Sequence, residues 1–489
     1  MSKTAGLLEF AAPGPGGWVR LADHFPAALT AEYQRIYLET APVGMADYMA
    51  RYGVLANGID VGFVHGHLYI TPVPLAGPRE MKRTPPMAAV WAMSRLHPGF
   101  RRRTRAARWA LTERPWRAAA THWFDVERAQ WQRRNQQLED VEPATMATDT
   151  LVEHLRACRR LVVDGYRRHF ELHGDDLLPI GLLIARCAEW GVAPSISAQS
   201  LRGGTPASAE PVEPAWQLLT GYDLDCLARN ELPRGTTTRP DQTGSALDLR
   251  PFVARENHDE LDELVADAQA AVPLREDNGA MTGAWPMGLL RRAMLECGRR
   301  LELPAAALAV EATVEELISR LHGEPEPTND DLERRRHDRR MNSLLDAPRS
   351  LGPDFAIPPL TALPRALALM GAAQLASADH MLGEGRAVGV GDYAHVGRAL
   401  VVDDPGHALE LIEPGDVIVT RFTCPSWNAV LGCAGAMVTS TGGLLSHAAI
   451  LARELGIPAV LGDSTATTRL ATGMTVTVDP MNARVTVAD

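Results

Sequence analysis

A strand that runs into paired glycines and then into a capped helix constrains this chain's fold more than any other feature. Ala436 to Thr439 reads as a buried strand and Gly442 with Gly443 as the turn. A helix then begins at Ser446, a good N-cap, and stops at Gly456, with Pro458 two residues on. This order places His447 in the first turn of a helix. The first amides of a helix point outward unpaired and carry partial positive charge, which favours a phosphoryl group on the imidazole. Glycines before it let backbone approach without a Cβ in the way. A neutral imidazole nitrogen is a competent nucleophile towards phosphorus, and its phosphoramidate remains a good donor. The competing reading makes His447 an ordinary capping or buried hydrogen-bonding group.

The surroundings of this segment are of the α/β kind. Strand-like runs at 416–420, 436–439, 459–461, 474–478 and 483–487 alternate with turns, and the spacing predicts a compact domain over 386–489. Upstream, from about Ala31 to Val272, apolar residues recur three and four apart, as in Leu151 to His173 and Leu177 to Trp190, so this region reads as mainly helical. One short β element is expected at Gly62 to Thr71. Loops rich in Gly, Ser, Thr and Pro are expected at 197–213 and 233–245. Ala347 to Pro359 holds four prolines and reads as a semi-rigid connector continuing to about Gly385. The expected layout is a flexible start over 1–17, a helical region over 18–345, a linker over 346–385 and the α/β domain over 386–489. A chain of 489 residues is too long for one core, which agrees with that division.

Charge and cysteine usage narrow the function. With 49 basic and 60 acidic residues the net charge is −11, which argues against a surface given over to nucleic acid. Lys3 and Lys82 are the only lysines, and no G-x-x-x-x-G-K-[S/T] loop occurs, so the chain offers no nucleotide-binding loop of that kind. The six cysteines form no C-x-x-C pair or zinc-spaced cluster, so no metal site is expected. Without a signal-peptide pattern at Met1 or a run of about 18 apolar residues, a reduced cytoplasmic protein without membrane attachment is the expectation.

The whole segment from Thr439 to Gly462 resembles the phosphohistidine swivelling domain of the PEP-utilising enzyme family. The resemblance rests on the Gly-Gly pair, Ser446, His447, Ala448 and Ala449, then Ala452, Arg453, Glu454 and Gly456 to Val460, and it covers roughly Arg386 to Asp489. It departs from the pattern at Leu445, where many relatives carry threonine, and at Asp392 and Tyr393, where many read Ser-Pro. The resemblance implies a β/β/α swivelling fold, His447 as the phosphoryl carrier, and Gly442, Gly443 and Ser446 around the phosphate. Arg453 joins that group, with a surface ion pair as its alternative.

Domain order adds to this. Residues 18 to about 345 resemble the helical acceptor region of rifampicin phosphotransferase-like members, through Trp18 to Pro26, Tyr52-Gly53 and Gly66 to Tyr69. Neither a PEP-binding barrel nor an ATP-grasp module is evident. The arrangement is similar to split phenylphosphate synthase and alkylphenol-phosphorylating systems, in which one polypeptide carries the histidine and another the ATP-grasp domain. That similarity implies an ATP-grasp partner binding ATP and Mg2+, conversion of ATP to AMP and phosphate, and a small hydroxylated, aromatic acceptor. Two other readings stay open: a non-catalytic phosphohistidine relay, and a PEP-dependent phosphotransferase.

Within the helical region, His65 and His67 read as residues on one side of a strand, available to deprotonate an acceptor or else structural. Half of the ten tryptophans fall between Trp91 and Trp131. Trp109 and Trp116 offer flat faces to an aromatic acceptor, although spacings of seven and eight residues also suit a helix-packing core. Arg101, Arg102, Arg103, Arg105 and Arg108 form either a docking patch for an acidic partner or a solvated basic helix.

Overall fold

The computed structural model describes residues 9–22, 25, 27–79, 86–201, 246–353, 358–377, 387–423, 427–444 and 446–488. The first strand, β1 (Trp18–Arg20), leads into helix α1 (Ala31–Tyr52) and the strands β2 (Ala56–Val64) and β3 (His67–Pro74). Helices α2 (Met87–Leu96), α3 (Pro98–Glu113), α4 (Pro115–His122), α5 (Arg128–Glu139), α6 (Thr148–Glu171) and α7 (Leu178–Glu189) follow. The rest of this domain is built on α8 (His258–Asn278), α9 (Trp285–Arg300), α10 (Val314–Leu321) and α11 (Asn329–Ser343).

Gly53 ends α1 at φ 75°, and its missing Cβ matters, because one would lie 2.3 Å from the carbonyl oxygen of Arg103. That glycine lets α3 pack across the end of α1. Two π-helical turns, Trp123–Glu127 and Gly279–Ala284, interrupt the α4–α5 and α8–α9 stretches. Trp116, Trp123 and Trp131 enter the helical core, and Trp123 Nε1 donates to Asp277 Oδ2 at 2.7 Å. Trp91 and Trp109 stay exposed, so the regular spacing from Trp109 to Trp131 serves packing at three of its four tryptophans.

The single β element expected at Gly62 to Thr71 is instead a hairpin. β2 and β3 pair antiparallel, joined by His65 and Gly66 at φ 51° and 79°, the positive values of a two-residue turn whose twist matches its strands.

The connector also differs from expectation. Ser350–Leu351 forms β4 on the far side of β1, completing a sheet of order β2-β3-β1-β4. Helix α12 (Arg365–Ser377) buries Leu367, Met370 and Ala373. It packs on α7 so closely that the Ala373 carbonyl oxygen would lie 2.1 Å from a Cβ on Gly181. Pro348, Pro353, Pro358 and Pro359 lie outside helices and strands, and the helical domain runs to Ser377. Residues 354–357 and 378–385 of the expected linker lie outside the described residues, as do 202–213 and 233–245 of the expected loops.

The C-terminal domain is a seven-stranded sheet of order β11-β10-β6-β7-β8-β9-β5. Its strands are β5 (Val388–Val390), β6 (His395–Val401), β7 (Val417–Thr420), β8 (Ala436–Thr439), β9 (Ala459–Leu461), β10 (Thr475–Asp479) and β11 (Arg484–Val487). β6 to β9 run parallel and the outer pairings are antiparallel. Every residue of β7, β8 and β9 is buried, because the sheet has an apolar core on each face. Helix α13 (His447–Leu455) lies in the core that also holds Trp427 and Leu431.

Candidate functional site

The site is a loop held between two parallel strands and a helix. Beyond the end of β8, Ser440 N–H donates to Thr420 O at 3.0 Å, and Thr441 N–H to Arg421 O at 2.9 Å. The chain then turns at Gly442, φ 115°, where a Cβ would stand 3.1 Å from Ser446 Oγ. Ser446 has extended backbone and caps α13. Its Oγ accepts from Ala449 N–H at 3.3 Å and donates to Gly443 O at 2.8 Å, while its own N–H reaches the same carbonyl at 3.0 Å. Thus Gly442, Gly443 and Ser446 are joined with His447 in one structure, as their spacing suggests. Gly456 stops the helix at φ 67°.

Arg453 lies behind the loop, buried, with Nη1 donating to Leu444 O at 2.7 Å. This bond braces the turn from inside the domain and is a job other than the surface ion pair weighed against phosphate binding. Leu445 and Cys424 lie outside the described residues.

His447 is half-buried, and burial pushes its pKa down to about 4, so the ring is neutral near pH 7. Its Nδ1 stands 3.1 Å from Thr423 Oγ1. When Nδ1–H donates to that hydroxyl, the lone pair sits on Nε2, which has no partner among the described residues. The amides of His447 and Ala448, at the first two helical positions, have no acceptor within the helix. A neutral imidazole at the first turn of a helix, whose opening amides have no intrahelical acceptor, is an arrangement that can attack phosphorus and hold phosphoryl oxygens.

Thr423 was missed as a ligand of the imidazole because it is 24 positions away in sequence. The loops after β7 and β8 emerge side by side because these strands are parallel neighbours, with Thr420 opposite Thr439. The run of apolar residues before each loop is the signal that could have paired them.

The acceptor-side candidates fall into separate places. His65 is a turn residue with Nε2 bonded to Glu9 O at 3.0 Å. His67 is fully buried at the start of β3, with Nε2 2.9 Å from Asn342 O. The two share Phe10 as a ring neighbour rather than one face of a strand. Trp109 and Trp116 both flank Tyr52, with centroids 6.4 and 6.3 Å from it. Tyr52 in turn donates its hydroxyl to Asp175, whose pKa burial raises to about 6. Next to it, Asp176 lies 3.4 Å from His173 Nδ1 and accepts from Asn278 Nδ2 at 3.2 Å. Sequence reasoning missed this polar cluster, although two adjacent acids between apolar helical runs were its visible sign. Among the described residues no group of three or more His, Cys, Asp or Glu is arranged to hold a metal.

With this geometry in place, the comparisons are specific to the C-terminal domain. Residues 412–482 match the family described as PEP-utilising enzyme, mobile domain. An uncharacterized phosphotransferase YvkC from Bacillus subtilis (strain 168) is 55% identical over 74 residues, 15% of this chain and 9% of that protein. A phosphoenolpyruvate synthase from Aeropyrum pernix is 51% identical over 83 residues, 17% of this chain and 10% of the relative. That of Escherichia coli (strain K12) is 46% identical over 104 residues, 21% of this chain and 13% of the relative. The matches thus span about a tenth of the length of these relatives. The C-terminal domain matches the mobile domain of PEP-utilising enzymes, and the helical domain lies outside these matches.

Proposed function

We propose that this chain is a phosphotransferase subunit in which His447 carries a phosphoryl group from a donor site to a hydroxyl acceptor held by the helical domain. The observation that carries the reading is the contact of His447 Nδ1 with Thr423 Oγ1, at the start of α13, with Nε2 unpartnered among the described residues. In the first step the Nε2 lone pair attacks phosphorus and the bond from phosphorus to the donor's leaving oxygen breaks. Nδ1 keeps its proton in the hydrogen bond to Thr423 Oγ1, so the phosphorylated ring carries a positive charge next to the anionic phosphoryl oxygens. In the second step an acceptor oxygen displaces Nε2 and its proton passes to a base. His65 and His67 were expected in that role, but His65 Nε2 is bonded to Glu9 O and His67 is fully buried on Asn342 O, so neither is placed to take that proton.

An ATP-grasp subunit that binds ATP and Mg2+ and releases AMP and phosphate is the donor we favour, on the likeness to split phosphohistidine systems. The names of the phosphoenolpyruvate synthase relatives support a second reading, in which PEP is the donor. The aromatic character of the acceptor rests on the likeness of domain order to alkylphenol-phosphorylating systems, and the cytoplasm is the expected compartment.

The test is to incubate the chain with labelled PEP, and separately with labelled ATP and an isolated ATP-grasp protein, and to map phosphohistidine by mass spectrometry at alkaline pH. Label at His447 in one arm, absent from His447→Ala, is the expected result. Product formed by His447→Ala at the unmodified rate overturns the relay.

A further inference from the structure

The corner formed by α2 and α3 is the most anomalous surface of the molecule. Eight of the ten residues of α2 are apolar, yet only Val90 and Ser94 are buried. Met87, Trp91 and Leu96 are 59%, 54% and 76% exposed. At 100° per residue, Met87 and Trp91 flank the buried line on one side, Met93 lies on the other, and Leu96 points away from it. A helix that is apolar all round is normally buried on every side, and this one is covered on one.

The next helix supplies charge. Arg101, Arg105 and Arg108 form one exposed stripe on α3, four and then three residues apart, with Arg102 at its edge. Among the described residues none of these four side chains has an ion pair or hydrogen bond, whereas Arg103, on the inner face, donates to Ala56 O at 2.9 Å. From Pro86 to Phe124 there are eight arginines and a single acid, Glu113, in a chain whose net charge is −11. Arg95 covers the Trp91 ring at 4.4 Å, which leaves an aromatic edge set among cations.

We propose that the α2–α3 corner is a docking site for an anionic phospholipid surface. Exposed Trp, Met and Leu would enter the boundary between headgroups and acyl chains, and the arginine stripe would pair with phosphates. A lipid boundary receives the whole exposed side of such a helix, and α2 offers Met87, Trp91 and Leu96 there while its Val90 and Ser94 side stays on the protein. A second copy of this chain fits poorly, because a two-fold contact would set one arginine stripe against the other. The attachment is peripheral: no described helix is long and apolar enough to cross a membrane. It revises the sequence-based expectation of no membrane contact, and it is independent of the phosphoryl relay.

Co-sedimentation with vesicles tests it, using phosphatidylcholine alone and phosphatidylcholine mixed with phosphatidylglycerol. The full chain is expected in the pellet with the anionic vesicles only, and released as salt rises past ~0.15 M. Replacing Arg101, Arg105 and Arg108 by Gln is expected to weaken binding about a hundredfold at low salt. Met87→Ser, Trp91→Ser and Leu96→Ser together should also abolish pelleting. Met481→Ser, at another exposed apolar residue, 64% exposed, should change nothing. Circular dichroism shows that each variant is folded. A chain that stays in the supernatant with anionic vesicles, or a Gln variant that pellets like the unmodified chain, overturns the proposal and leaves a protein partner as the occupant.

Discussion

His447 and His67 are alike in one respect and opposite in the rest. Burial lowers both to about 4, so both are neutral near pH 7. His67 is completely enclosed, its Nε2 is fixed on Asn342 O, and Arg20 adds to the cost of charging it. His447 is half-buried at the start of a helix, bonds through Nδ1, and has no partner for the opposite nitrogen among the described residues. The comparison teaches that a depressed pKa marks burial and does not by itself mark chemistry. Reactivity requires a free lone pair and somewhere to put the incoming charge.

The largest effect separates the two outright. His447→Ala should reduce phosphoryl uptake by more than about a thousandfold, while His67→Ala leaves uptake within about twofold, as read by label retained on the protein. In denaturant unfolding the ranking reverses. His67→Ala opens a cavity and orphans the Asn342 carbonyl, for a loss of about 2–4 kcal/mol, and His447→Ala costs less.

Two smaller changes sharpen the role of the loop. Gly442→Ala forces a Cβ into positive φ against Ser446 Oγ and should cost about 1–2 kcal/mol, with uptake reduced roughly tenfold. Thr423→Val removes the Nδ1 partner and should slow uptake about tenfold, with Thr423→Ser restoring it. Because this residue acts through the imidazole, the rate of uptake should change more than the affinity for donor.

The smallest effect is on the pH dependence of stability. A histidine lowered from 6.5 to about 4 on folding binds fewer protons in the native state, so its stabilising contribution is complete above pH 6.5 and is lost as pH falls towards 4. Asp175, raised to about 6, acts with the opposite sign over part of that window. Denaturation midpoints measured from pH 7 to 4 should fall, and His67→Gln should fall less steeply than the unmodified chain.

What was legible follows from locality. The strand, glycine turn and capped helix around His447 each depend on a few adjacent residues, and the structure shows Ser446 and Gly456 at the two ends of α13 as the sequence indicates. The central strands were visible as apolar runs. β5 and β6 were not read as strands, since Val388–Val390 is three residues long and β6 opens with His395 and carries Gly397 and Arg398. The Thr423 contact joins two loops that come together only through strand pairing. The connector failed for a different reason. Its prolines prevent regular structure locally, but α12 beyond them is an apolar helix that finds a partner in α7 through Gly181. The hairpin was hidden in one apparent strand because His65 takes the positive φ usually left to Gly or Asn.

The packing of α12 on α7 sets a limit on the reach of the C-terminal domain. Ser377 ends α12 and Val388 begins β5, eleven peptide steps that can span at most about 40 Å. Under the proposed relay, any two positions of His447 must be compatible with that span.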